Sequence, residues 1–209
     1  MPFDRDYLQR LFGELRLKGV ATQAGLTDEE IARVEREYGF RFPSDLRAFL
    51  EFALPISENF PNWRAGWIAK PMLDWTTAQN GKPTLLGHNL VPVREQLEWP
   101  SDGICFDIEQ NKFWAKEWGE QPEELSVALE LARKQIAGAP RLIPLFSHRY
   151  LPEEPCERGN PVFSVYQTDI IYYGSDLASY FANEFEIACP NWAAKEPREI
   201  RFWSTFTRL

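Results

Sequence analysis

The chain has 209 residues, 44% hydrophobic and 14% aromatic, which is enough to bury a real core and too apolar for a disordered segment. Its 31 acidic residues outnumber 23 Lys and Arg, and the formal charge of −8 argues against a nucleic-acid binder, which needs clustered cations. Cys105, Cys156 and Cys189 form no CxxC pair, so neither a zinc knuckle nor a disulfide framework is signalled, and free thiols in a reducing compartment are expected. The N-terminus MPFDRDYLQR lacks the basic and apolar regions of a secretory signal, and no apolar run approaches the ~18 residues of a membrane span. A cytoplasmic location, with no membrane partner, is therefore expected.

Taken in order, Tyr7, Leu8, Leu11 and Leu15 recur at helical spacing and predict an amphipathic helix over residues 4–17. A small-residue link follows from Gly19 to Gly25. Residues 26–50 then read as two helices joined by a turn. Thr27 and Glu30 make a capping box, and Leu26 and Ile31 stand at the positions of a hydrophobic staple. Ile31, Val34 and Tyr38 line one face, Gly39 is placed to end the helix in a left-handed conformation, and Pro43 suits the start of the next. Leu46, Phe49 and Leu50 form the buried side of that second helix.

Residues 54–101 carry six prolines, between which only short strands are expected, at 68–70, 84–86 and 90–93. Trp63, Trp67, Trp75 and Trp99 recur there, and packing over a core is favoured for them over a sticky surface. From Gly103 the run Ile104 to Ile108, a polar Glu109-Gln110-Asn111 and then Lys112-Phe113-Trp114 predict a hairpin. A helix follows, with Pro122, Glu123 and Glu124 near its start and Leu125, Ala128, Leu129, Ala132 and Ile136 inward; Gly138 and Pro140 stop it. Apolar segments at 142–146, 161–166 and 170–173 predict strands covered on both faces, the last two joined as a hairpin through Gln167, Thr168 and Asp169. A polar excursion separates the first two. Ser175 is expected to cap a final helix, with Phe202, Trp203 and Phe206 docking the tail.

Chemistry is scarce. His88 and His148 are the whole imidazole supply, and neither stands in a metal-ligand spacing. No nucleophile elbow, phosphate loop or dinucleotide fingerprint is present, so no cofactor and no metal is expected. The one catalytic reading is a hydrolase in which His148 is the base, Asp169 its orienter and Arg149 an anion clamp. Against it, His148 and Arg149 can simply end a strand while Asp169 shapes a turn, and that reading is preferred: no catalytic residue is assigned.

The residues do resemble a family. Leu26-Thr27-Asp28-Glu29-Glu30-Ile31 with Val34-Glu35, then Gly39-Phe40-Arg41-Phe42-Pro43 and Leu46-Arg47-Ala48-Phe49-Leu50, is similar to the SUKH signature of a helix, a G-x-x-L/F-P turn and a helix ending in Phe-Leu. Pro161-Val162-Phe163-Ser164-Val165 with Asp169-Ile170-Ile171-Tyr172-Tyr173-Gly174 resembles the paired central strands, and Leu177-Ala178-Ser179-Tyr180-Phe181 the closing helix. The resemblance spans about residues 26–186 and implies a single SUKH-like domain over 1–209. An added N-terminal helix, a Trp-rich insert at 62–100 and a docked aromatic tail would complete it.

The implied fold is α+β, a mainly antiparallel twisted sheet with helices packed against it, and the implied function is non-catalytic protein binding. Bacterial members are similar to immunity proteins that neutralise toxins, often nucleases; another branch is linked to regulation of cell-wall synthesis through protein contacts. The acidic balance suits stoichiometric binding to a basic toxin domain with electrostatic steering. A regulator or scaffold with another protein partner is the alternative. A contact surface is expected in exposed acids and aromatics near the hairpin and the insert: Trp99, Asp102, Asp107, Glu109 and Trp118.

Overall fold

A computed structural model describes residues 3–79 and 81–208. Helix α1 (Arg5–Leu17) starts at Asp4, whose carboxylate accepts from Tyr7 N at 2.9 Å. It buries Leu8, Leu11, Phe12 and Leu15, with the Phe12 ring stacked on Phe49 at 4.6 Å. The small-residue link holds a short strand, β1 (Thr22–Ala24), which pairs antiparallel with β2 (Ala53–Pro55).

Between these strands lie α2 (Asp28–Tyr38) and α3 (Ser44–Phe52). The capping box is complete: Glu30 N donates to Thr27 Oγ1 at 3.2 Å and Thr27 N to Glu30 Oε2 at 2.9 Å. Gly39 closes α2 at φ +70°, a conformation that costs glycine nothing. Pro43 takes the N-cap position of α3. Leu26 and Ile31 are both buried, as a staple requires.

The fold is built on a four-stranded antiparallel sheet in the order β6 (Leu142–Phe146), β7 (Arg149–Pro152), β8 (Val162–Tyr166), β9 (Asp169–Gly174). β7 occupies the start of the polar excursion, where a strand was not expected. Alternation sends successive side chains to opposite faces. Ile143, Leu145, Leu151 and Val162 join one core with α1, α2, α3 and α6 (Leu177–Phe185), while Leu142, Tyr150, Phe163, Val165 and Ile170 join the other. The second core is covered by α4 (Val93–Asn111), α5 (Leu125–Ala137) and α7 (Trp203–Phe206). Burial on both faces accounts for the apolar run of β6 and for that of β8, which Ser164 alone interrupts. The architecture is α+β, helices on both sides of an antiparallel sheet.

Three local expectations are corrected. The cap of α6 is Asp176, whose carboxylate accepts from Ser179 N at 2.8 Å, not Ser175. Residues 104–111 are not a hairpin strand and loop but the last turns of α4. Val93, Gln96, Pro100, Ile104 and Ile108 are buried along one face of that helix, and this packing outweighs the β propensity of Ile104 to Ile108 and an internal Pro100. Gly103 is needed for the close approach: a Cβ there would stand 2.8 Å from Gln167 Cα in the β8–β9 turn.

The third correction is the insert. Short strand β3 (Pro61–Asn62) pairs with the base of β4 (Trp67–Gln79), and β4 pairs antiparallel with β5 (Lys82–Pro92). The expected fragments are one long ribbon, which runs directly into α4. Trp63 at its base is buried against Tyr38, Phe40 and Phe42, as packing predicts. Trp75 and Trp99 are not packed in this way; they are 65% and 43% exposed. At the other end of the chain Trp203 is buried, its Nε1 donating to Pro140 O at 2.6 Å, so the aromatic tail is docked.

Candidate functional site

The catalytic reading can be followed atom by atom. His148 lies in the β6–β7 turn with Nδ1 3.1 Å from Ser147 Oγ and Nε2 against the Arg149 guanidinium. Both ring nitrogens thus face groups other than Asp169, which begins β9. Burial, with Arg149 and Lys70 nearby, pushes the His148 pKa down and favours neutral imidazole. Arg149 is not a free anion clamp: Nε meets Glu184 Oε2 at 3.0 Å, Nη1 donates to Ser164 Oγ at 2.8 Å, and the guanidinium lies 3.7 Å from the Tyr173 ring centroid. These contacts tie β7 to β8, β9 and α6. Among the described residues no group of three His, Cys, Asp or Glu is placed to hold a metal, and no helix is long and apolar enough to cross a membrane.

The distinctive surface lies elsewhere. Beyond Ile68 no described residue of the β4–β5 ribbon is buried. It carries Met72, Leu73, Trp75, Leu85, Leu86 and Leu90, all between 42% and 65% exposed. Leu73 and Leu85 are cross-strand partners, and a register shift follows Met72, where Leu86 is the unmatched residue. Near the far end Asp74 organises the backbone, accepting from Thr76 N at 2.8 Å and from Thr77 Oγ1 at 3.1 Å. Two strands that bury no face gain little from folding alone, so this ribbon has apolar surface to spare.

Helix α4 continues that surface with charge. Glu95, Trp99, Asp102, Phe106 and Glu109 follow one another at three- and four-residue spacing along its exposed side. Lys70 of β4 sits 5.0 Å from the Trp99 ring centroid, joining ribbon to helix, and burial lowers its pKa. Of the residues expected at a contact surface, Trp99, Asp102 and Glu109 therefore share one helical stripe, and Phe106 completes it.

The other two are placed differently. Asp107 is buried, a correction to the expected exposed acid. Its Oδ2 accepts from Thr168 N at 2.9 Å and Thr168 Oγ1 at 2.6 Å, and its Oδ1 from Asn111 Nδ2 at 2.6 Å. It anchors α4 to the β8–β9 turn. Trp118 is half-buried in an aromatic cluster, 5.2 Å from Trp114 and stacked at 6.2 Å on Phe202 of the tail. Sequence reasoning missed the ribbon, for which the signal was the density of large apolar residues between Pro71 and Leu90 on both sides of a Gly81 turn.

Comparison with known proteins adds a family. The model of the SMI1/KNR4 family (SUKH-1) matches residues 25–128, covering α2, α3, the ribbon and α4; the four-stranded sheet and α6 lie beyond the match. No curated protein and no solved structure gives a significant match. The family match falls on the capped helical pair whose residues carry the resemblance, and the chain belongs to the SUKH superfamily.

Proposed function

We propose that the chain is a single-domain protein-binding module of the immunity type, which neutralises a cationic toxin domain by stoichiometric complex formation. The observation that carries this reading is the β4–β5 ribbon, which leaves six large apolar side chains exposed beside the acidic stripe of α4. Clustered exposed apolar side chains next to charge mark a contact site. The stripe supplies Glu95, Asp102 and Glu109, so its complement is a basic surface with apolar pockets for Trp75, Trp99 and Phe106. The membership in SUKH supports the reading because the bacterial members it resembles act by binding.

Among the described residues beyond Ala69 neither edge of the ribbon pairs with a further strand, and Pro71 and Pro83 interrupt these edges and guard against indiscriminate strand addition. The test is titration of the full chain against any cationic toxin domain found encoded by a neighbouring gene. A one-to-one complex that weakens with salt, and loses at least tenfold in affinity in a Trp75→Ser, Leu86→Ser, Trp99→Ala variant, is expected. Binding indifferent to both salt and these substitutions would defeat the assignment. Selective binding to a host protein, with none to any such toxin domain, would make the chain a regulator or scaffold instead.

A further inference from the structure

A second concave feature, unrelated to the ribbon, lies between the first turns of α4, the end of α5 and the strand entering β6. It encloses about 270 Å³, and Arg94, Arg133 and Arg141 all line it, together with Tyr38, Glu98 and Trp203. Three guanidinium groups against one carboxylate give this cleft a local formal charge of +2, in a chain whose total is −8. All three arginines are exposed, so the cleft presents its positive charge to an anion arriving from solvent.

The arrangement around Tyr38 holds two of them in place. Arg94 lies over the Tyr38 ring, 5.4 Å from its centroid, and Arg141 donates from Nη1 to the Tyr38 carbonyl. Arg94 makes one further long contact, Nη2 to Glu37 O at 3.5 Å. Of the 13 arginines outside the cleft, Arg47, Arg64, Arg149, Arg201 and Arg208 form an ion pair with a carboxylate and the other eight form none among the described residues. Among the described residues none of the three cleft arginines forms one within 4.0 Å, although Glu98 stands in the same lining. A guanidinium offers five N–H donors in a planar fork, so most of the donors here remain unspent. That fork matches phosphate oxygens in pairs, and it cannot be neutralised by proton loss at any ordinary pH.

We propose that this cleft binds a phosphate group, either as the free anion or carried by a small molecule, with Arg94 and Arg141 oriented by Tyr38 and Arg133 closing from α5. The volume admits a phosphate with a small substituent and excludes a folded segment. Glu98 opposes the anion and sets the affinity below what three arginines alone would give.

The experiment is titration of the full chain with inorganic phosphate, adenosine 5′-monophosphate and adenosine at constant ionic strength. It is followed by thermal unfolding and by the NMR resonances of the arginine Nε–H groups. Phosphate and the monophosphate are expected to raise Tm and shift those resonances, whereas adenosine does neither. Tighter binding of the monophosphate assigns the cleft to a phosphorylated small molecule, and equal binding to the free anion. Arg133→Gln removes a side chain with no ion pair to lose and should weaken binding roughly tenfold with folding unchanged. Glu98→Gln should tighten it severalfold. A Tm shift equal in wild type, Arg133→Gln and Arg94→Gln, an unchanged affinity in Glu98→Gln, or no response of the wild type to phosphate overturns the proposal.

Discussion

The capped helical pair α2–α3 and the β4–β5 ribbon are neighbours in sequence and opposites in physics. In the pair, Ile31, Val34, Leu46, Phe49 and Leu50 are buried. The ribbon leaves Trp75, Leu86 and their companions in water. Folding free energy is a small difference between burial and chain ordering. The pair therefore stabilises the body, whereas the ribbon adds little to its stability. Within one matched family region, the scaffold and the surface proposed to serve binding are thus separate elements.

The comparison breaks first in the core. Ile31 is fully buried on α2, and Ile31→Ala should cost about 3 kcal/mol through lost transfer energy and the cavity left behind. Urea unfolding measures it, and a loss under 1 kcal/mol would mean that this helix does not hold the body together. Gly103→Ala ranks next. Alanine favours a helix by up to about 1 kcal/mol over glycine, yet here its Cβ would press on backbone at Gln167 Cα, 2.8 Å away. A net loss of about 1–2 kcal/mol is expected from the forced separation of α4 and the β8–β9 turn. A gain in stability would show that the turn yields freely.

How much of this was legible depended on how far away the deciding atoms lie. Thr27, Glu30 and Gly39 act on partners within four residues, and so their roles could be read directly from the sequence. Helix α4 could not be read this way. Gly103 and the β-branched Ile104 and Ile108 argue locally for a strand, but the face formed with Val93, Gln96 and Pro100 packs on a sheet whose strands begin near residue 142. Asp107 looked like an exposed acid because its partner Thr168 is 61 residues away. Arg149 looked free because Glu184 arrives from α6, 35 residues away. Proline at 71 and 83 hid the length of the ribbon, since a strand that buries nothing shows no apolar alternation. Sites assembled by long-range contacts, the arginine cleft included, leave no local signature.

Glu30 sharpens the contrast through pH. Its carboxylate closes the capping box and also receives Arg64, Nε to Oε1 at 2.6 Å and Nη2 to Oε2 at 3.0 Å. Arg64 in turn donates to Gly25 O at 3.1 Å, so one acid fastens α2 to the ribbon base. The Arg64 guanidinium first, and the Thr27 N–H second, lower the Glu30 pKa from 4.5 to about 2. A carboxylate with a depressed folded-state pKa adds stability above its unfolded value and loses it as pH falls towards the folded one. Glu30→Gln should therefore cost about 1–2 kcal/mol at pH 7, a figure that allows for a side chain one-quarter exposed. The gap to wild type should close between pH 4.5 and about 2. A gap constant across that range would assign the loss to packing instead of charge.

The smallest expected effect on stability is the most telling for function. Trp75→Ser and Leu86→Ser change side chains 65% and 64% exposed, and each should move the unfolding free energy by no more than about 0.5 kcal/mol. Amide exchange along the ribbon should be fast beside that of α2 and α3, because its outer hydrogen bonds join only two strands and are shielded by no core. If either serine variant destabilised the chain by 2 kcal/mol or more, the ribbon would have to pack somewhere in the free protein, and its apolar face would be structural. If stability is untouched while partner affinity collapses, the apolar side chains are retained for the complex. Their exposure in the free chain is then the cost of a surface kept ready, which the core of α2–α3 is stable enough to carry.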